Sequence, residues 1–170
     1  MTPGLTRRER EITDIEQITK ILEKENIVHI GLVDGDEPYV VPMNYGFTME
    51  NGKLTLYLHG ATEGKKLDLM RANPKVFFSI ESDITPFSGN VACQYGTAYS
   101  SVMGNSTAEI LEDAKEKMAG LSIFMKSQTG VDFEFNERMV SAVAVIRIDV
   151  SGYTAKHRPL PIQNQKQMGI

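Results

Sequence analysis

NIVHIGLVDGDEPYVVPMNYGFTMENGKLTLYLHG, residues 26–60, is the stretch that decides the fold class. Val28, Ile30 and Leu32 alternate with His29, Gly31 and Val33, the period of a strand with one buried face. Asp34-Gly35 follows as a turn dipeptide, and a second run extends from about Tyr39 to Phe47. Asn51-Gly52 marks the next hairpin turn. After it, Leu54, Leu56 and Leu58 share one strand face, while Thr55, Tyr57 and His59 share the other. Turns this short cannot hold the helical crossover that parallel neighbours need. The sheet is therefore expected to be antiparallel, and a doubly wound parallel sheet is disfavoured. Pro42 lacks a ladder N–H, so an edge position or a local break is expected there.

The flanks supply helices and further strands. Thr13 and Glu16 have capping-box spacing, and Ile15, Ile18, Ile21 and Leu22 then form one apolar helical face, with Asn26 as a stop. A short helix is expected over 62–72, capped by Thr62 and ended by Asn73-Pro74. KVFFSIE, residues 75–81, reads as a strand, residues 83–96 as a long loop, and about 94–110 as a strand interrupted near Gly104. Ala114, Met118, Leu121 and Met125 give a third helix over 113–128, with Gly130 just past its end. MVSAVAVIRIDVSGYTA, residues 139–155, closes the sheet. About six strands, mostly hairpin-joined, with three helices indicate a small mainly β antiparallel barrel. The expected organisation is an arm over 1–12, one domain over 13–158 and a tail over 159–170.

The 170 residues suffice for one domain with a real core. A net charge of −4 argues against a general nucleic-acid binder but leaves room for a small basic pocket. Cys93 is the only cysteine, so no intrachain disulfide forms; a reducing, cytoplasmic setting and a structural thiol are the simpler expectations. His29, His59 and His157 show no zinc-ligand spacing, and no metal is expected. No apolar run approaches a membrane span, and the start has no secretory h-region.

HGATEGKK, residues 59–66, concentrates the chemistry. Lys65 and Lys66 fall in the first turn of a helix, where partial positive charge disfavours cations. Two readings stand at this point. Either both lysines are merely solvated, or they converge with free N–H groups on an anion such as a phosphate. His59 is either a hydrogen-bonded histidine at a strand end or a group that binds substrate or donates a proton. Asn44 and Tyr45, just after Pro42, are either ordinary edge residues or offer freed backbone groups to a planar ligand. In YSSVMGNS, residues 99–106, Ser100 and Ser101 face water or hydrogen-bond a phosphate or sugar chain, with no nucleophile elbow around either. Glu109, Glu112, Asp113 and Glu116 suit a helix start and need no catalytic role.

GLVDGDEPYVVPMNYGF, NGKLTLYLHGATEGKKLDLMRANPKVFFSIE, YSSVMGNSTAEIL and AVAVIRIDVSGYTAK, in this order, resemble the pyridoxamine 5'-phosphate oxidase-like flavoproteins, in the nitroimidazole-resistance branch. The resemblance covers about residues 8–158. It implies a homodimer of six-stranded Greek-key split barrels with two flavin mononucleotide (FMN) molecules at the interface. It implies that the backbone of Pro42, Met43, Asn44 and Tyr45 lies against the isoalloxazine ring. His59, Gly60, Ala61, Lys65 and Lys66 would meet the ribityl phosphate end, with Tyr57 on the face of His59. Ser101 and Val102 of the partner subunit would complete the pocket. Many relatives carry arginine where this chain has Ser100, so one cationic contact is missing. His59 is the implied reactive residue. The implied activity is that of an FMN-dependent oxidoreductase acting on a small molecule, with nitroaromatic reduction among the options; the alternative is a non-catalytic FMN or heme binder.

Overall fold

The computed structural model describes residues 7–162. In chain order they form β1 (Glu11–Ile12), α1 (Ile15–Glu23), β2 (Ile27–Asp34), β3 (Glu37–Asn44), β4 (Gly46–Glu50) and β5 (Lys53–Gly60). There follow α2 (Lys65–Ala72), β6 (Lys75–Phe87), β7 (Gly96–Ile110), α3 (Ala114–Thr129), α4 (Glu137–Ser141) and β8 (Ala144–Arg158). The strands join in the order β3-β2-β6-β7-β8-β5-β4, and β1 pairs with β8. The pairings of β2 with β3 and β6, and of β5 with β4 and β8, are all antiparallel. The class is mainly β and antiparallel with attached helices, as the alternation and the short turns require. The strand number differs: eight among the described residues rather than six. One of the additional strands is the two-residue β1, where Glu11 and Ile12 pair with Lys156 and Ala155.

Packing separates two units. Residues 7–25, 81–102 and 154–162 belong to one, and residues 26–80 and 103–153 to the other; β6, β7 and β8 each run from one into the other. The first six residues of the expected arm and residues 163–170 of the expected tail lie outside the described residues.

In the second unit the hydrophobic alternation sets the core. Val28, Ile30 and Leu32 of β2 and Leu54, Leu56 and Leu58 of β5 are all buried. The Asn51-Gly52 loop has φ of 51° and 79°, the paired positive values that a two-residue hairpin needs. The other hairpin closes at Asp34 and Glu37, so Gly35-Asp36 forms its loop, one residue later than the dipeptide suggested. The expected run over 39–47 is divided at Tyr45. Its first part, β3, ends one edge of the sheet and its second part, β4, the other. Pro42 sits within unbroken β3, opposite His29, on that edge. The edge position tolerates its missing N–H, and the break falls at the buried Tyr45.

Several boundaries are corrected. Asp14, not Thr13, caps α1, its carboxylate accepting from Gln17 N at 2.8 Å. An Asp cap here satisfies the same orphan donor that a threonine would. Ile18, Ile21 and Leu22 are buried, but Ile15 at the first turn stays 40% exposed. α1 ends at Glu23, before Asn26. α2 begins at Lys65, and Thr62 does not cap it. The loop expected from residue 83 is strand as far as Phe87, with Asp83 at φ 55°, a conformation that a short polar side chain tolerates. Cys93 is exposed, so the structural-thiol expectation fails. β7 is continuous through Gly104. α3 has the expected ends, Asp113 accepting from Lys115 and Glu116 N–H groups and Gly130 at φ 72°. α4 was not foreseen and takes the start of the expected closing strand.

Candidate functional site

Lys65 and Lys66 open α2, and their charges have different surroundings. The α2 N-cap is Gly64 at φ 134°, a conformation closed to most L-residues, and no side chain caps the helix. The first intrahelical donors are Leu67 and Asp68, both bonded to the Gly64 carbonyl. A Cβ at Gly64 would meet nothing within 4 Å, so the helix entrance is open on that side. Uncapped N–H groups and the helix dipole favour an anion here.

Lys65 has its own counter-charge. Its ammonium lies 2.7 Å from Asp34 Oδ2 and 5.0 Å from the centre of the Tyr39 ring. The hydrogen bond that Lys65 donates to Asp34, with that carboxylate's negative charge, holds the Lys65 pKa above the ordinary lysine value. Lys66 is different. Among the described residues it has no carboxylate partner, and it is half-buried, its Cε 3.3 Å and Nζ 3.6 Å from where a Gly60 Cβ would stand. Met43 Cε is 4.0 Å from the same point, so Gly60 is where β3, β5 and α2 meet. The misplaced charge at Lys65 is thus balanced inside the chain, and only Lys66 keeps an uncompensated cation beside the helix entrance.

His59 is exposed, but its ring packs on Phe124 of α3, with centroids 4.5 Å apart and planes at 53°. Burial against that ring lowers the His59 pKa below the ordinary value. His59 is accordingly a neutral hydrogen-bonding group at pH 7 rather than a second phosphate cation. A proton titration followed by NMR is expected to place its midpoint below about 6.5, and Phe124→Ala to move it upward. A wild-type midpoint at or above the ordinary value contradicts the assignment. The sign for stability follows. As pH falls through about 6.5 the unfolded chain takes up this proton first, so this histidine's contribution destabilises the fold on the acid side.

The remaining expected residues distribute as follows. In the segment 42–45, Pro42 and Asn44 are exposed while Met43 and Tyr45 are buried. Asn44 Nδ2 and Tyr45 N both donate to the Asn26 carbonyl, at 3.2 and 3.3 Å, and Tyr45 O accepts from Gln128 at 2.6 Å. Ala61 is exposed beside Gly60. Tyr57 is half-buried, and burial pushes its phenol pKa up, against the opposing charge of Arg147. Met43, Gly60 and Lys66 come together at the end of β5, while His59, on the other face of the strand, packs on Phe124.

Ser101 and Val102 belong to the other unit and are 3% and 0% exposed. Ser100 is also buried, which removes the water-facing reading of both serines. Its hydroxyl donates to Asp83 Oδ2 at 3.3 Å and meets His157 Nδ1 at 3.0 Å. Lys24 holds both Asp83 oxygens at 2.8 Å, and this bond, ahead of the others, lowers the Asp83 pKa. Ser100 thus lies within hydrogen-bond reach of both the Asp83 carboxylate and the His157 ring. Sequence reasoning missed Lys24, Asp83 and His157 here, because nothing in their spacing marks their convergence.

Among the described residues no His, Cys, Asp and Glu group can hold a metal, and no helix is long and apolar enough to cross a membrane.

The comparisons with known proteins agree with this architecture. No curated protein matches the chain in sequence. A solved structure from Bacteroides thetaiotaomicron, provisionally named a 5-nitroimidazole antibiotic resistance protein, is similar at 31% identity and TM-score 0.73, covering 86% of either chain. The flavocytochrome Anf3 from Azotobacter vinelandii is similar at 19% identity and TM-score 0.75, over 93% of this chain and 74% of that one. An FAD-binding protein from Mesorhizobium loti is similar at 20% identity and TM-score 0.62, over 88% and 98%. These last two show the fold alone. Residues 14–157 match the family described as pyridoxamine 5'-phosphate oxidase. The chain, with its antiparallel sheet and its likeness to the nitroimidazole-resistance structure, belongs to the pyridoxamine 5'-phosphate oxidase-like family, in the nitroimidazole-resistance type branch.

Proposed function

We propose that the chain is an FMN-binding oxidoreductase that passes electrons between the flavin and a small molecule, with nitroaromatics as one substrate class. The observation that carries this reading is the uncapped start of α2, with Gly64 open to a ligand and Lys66 lacking a carboxylate partner among the described residues. The residues fit a phosphate monoester. The α2 N–H groups and the Lys66 ammonium would hold it, while the backbone of residues 42–45 would border the ring. Bound FMN would supply the electron transfer that no side chain here can perform. Neutral His59, packed on Phe124, would accept or return a proton at an imidazole nitrogen if substrate reaches it. The name given to the Bacteroides thetaiotaomicron relative supports a nitro compound as acceptor.

A second copy of the chain would complete the pocket with Ser101 and Val102 of the partner subunit. An exposed apolar sheet face supports this. Val33, Val40 and Phe77 are 46%, 61% and 43% exposed, and Val40 and Phe77 both flank Gly31 across the sheet. A row of this kind on a soluble chain marks an interaction surface.

The deciding measurement is the visible spectrum of the purified protein, followed by NAD(P)H and a nitroaromatic acceptor. Flavin bands that bleach and recover with turnover are expected. Bands that never bleach would leave a non-catalytic flavin binder, a Soret band would replace FMN with heme, and a colourless protein that takes up no FMN would end the proposal.

A further inference from the structure

A cavity of about 310 Å³ lies within the first unit, at the small end of the range for ligand sites. Phe87, Cys93, Gln94, Arg158, Pro159 and Pro161 line it. β6 ends in this wall at Phe87, and β8 ends in it at Arg158. The Arg158 guanidinium carbon lies 4.9 Å from the centre of the Phe87 ring, a cation–π stack on a ring that is itself buried. Gly96, at the start of β7, leaves the space that this stack fills. A Cβ there would stand 2.8 Å from both Arg158 Nη2 and Phe87 Cζ.

The charge of Arg158 is unbalanced. Among the described residues Arg10, Arg147 and Arg158 are the half-buried arginines. Arg10 has Glu9 at 4.0 Å, and Arg147 has Asp149 at 3.1 Å with Glu109 and Glu116 beside it. The Arg158 guanidinium has neither a carboxylate nor a hydrogen-bond partner among the described residues, which hold every Asp and Glu of the chain. No acidic side chain lines the cavity. Gln94 Oε1 accepts from Asn90 N at 2.8 Å, so the other end of that amide is left as a donor. The stack on Phe87 holds the guanidinium plane, and its forked N–H groups match a planar carboxylate. With one cation in the wall a monoanion is balanced, whereas a dianion keeps a charge uncompensated. Phe87, Pro159 and Pro161 supply apolar surface for the rest of the ligand.

We infer that the Arg158 cavity binds a small organic monocarboxylate with a compact apolar body, of the class of benzoate and short branched-chain acids. Arg158 holds the carboxylate, Gln94 adds an amide N–H, and the body rests on the two prolines. The site is built from residues that the α2 entrance does not use.

The test is NMR titration of the isotope-labelled full chain with sodium benzoate. Saturable shifts are expected at Cys93, Gln94 and Arg158, with a Kd of about 1 mM. Arg158→Gln is expected to weaken binding about tenfold, and Arg158→Lys, which keeps the charge but not the fork, to recover only part of the loss. Gly96→Ala, which displaces the stack and leaves the arginine in place, is expected to weaken binding as well. Benzyl alcohol, which has the ring without the charge, is expected to bind about tenfold more weakly than benzoate. The inference is overturned if benzoate does not saturate, if Arg158→Gln binds it as the wild type does, or if benzyl alcohol or inorganic phosphate saturates the same residues as tightly as benzoate.

Discussion

Replacing Lys66 with alanine weakens FMN binding by about 10- to 100-fold, the worth of a charge-assisted hydrogen bond of about 1.5–3 kcal/mol. Lys65→Ala has a much smaller effect. Its ammonium already pairs with Asp34, with 56% and 44% of the two side chains exposed, and such a pair is worth only about 0.2–1 kcal/mol. The expected order separates two cations that are adjacent in sequence. Riboflavin, which lacks the phosphate, is the control, and its affinity stays the same in both variants. Equal losses from both substitutions would show that Lys65 leaves Asp34 to join the phosphate. Unchanged FMN affinity in Lys66→Ala would remove the phosphate role from this helix entrance. Asp34→Asn adds a further arm: it frees Lys65, so FMN affinity holds or rises.

Gly104→Ala lowers stability by about 2–3 kcal/mol, read as a fall in Tm of about 5–10 °C by circular dichroism. The cause is a backbone crossing. The added Cβ would stand 2.1 Å from the Gly152 carbonyl oxygen and 2.8 Å from Tyr153 Cα, so no side-chain rotation relieves it. Gly35→Ala is the control. That glycine has φ 66° but nothing within 4 Å of a Cβ, so only conformational strain of about 1 kcal/mol is added. A Gly104 variant no less stable than the Gly35 variant would show that the crossing relaxes freely.

Gly104 also shows how a sequence signal can be noticed and misassigned. A glycine inside a strand pattern marks either an interruption or a close approach of another backbone. β7 runs unbroken, and the residue that decides between the options, Gly152, lies on β8. Pro42 posed a similar choice. Its edge position was legible, but the break moved to Tyr45, where the chain leaves one edge of the sheet for the other.

The hairpin turns, the alternation of Val28, Ile30 and Leu32, and the paired ends of α3 were legible because their causes are local. Dihedral preferences, strand period and end-capping act within a few residues. The antiparallel class follows from them, since two-residue loops leave no room for a crossover. The charge conflict at the α2 start was legible for the same reason. Its resolution was not. Asp34 reaches Lys65 and Phe124 desolvates His59 only after β2, β5 and α3 have packed, and sequence spacing carries no record of such pairings. The burial of Ser100 beside Asp83 and His157 arises the same way. Short-range geometry specified which elements form and that an anion suits the start of α2. Long-range packing chose which lysine is left for it, because electrostatic balance depends on distance through the folded chain and not along it.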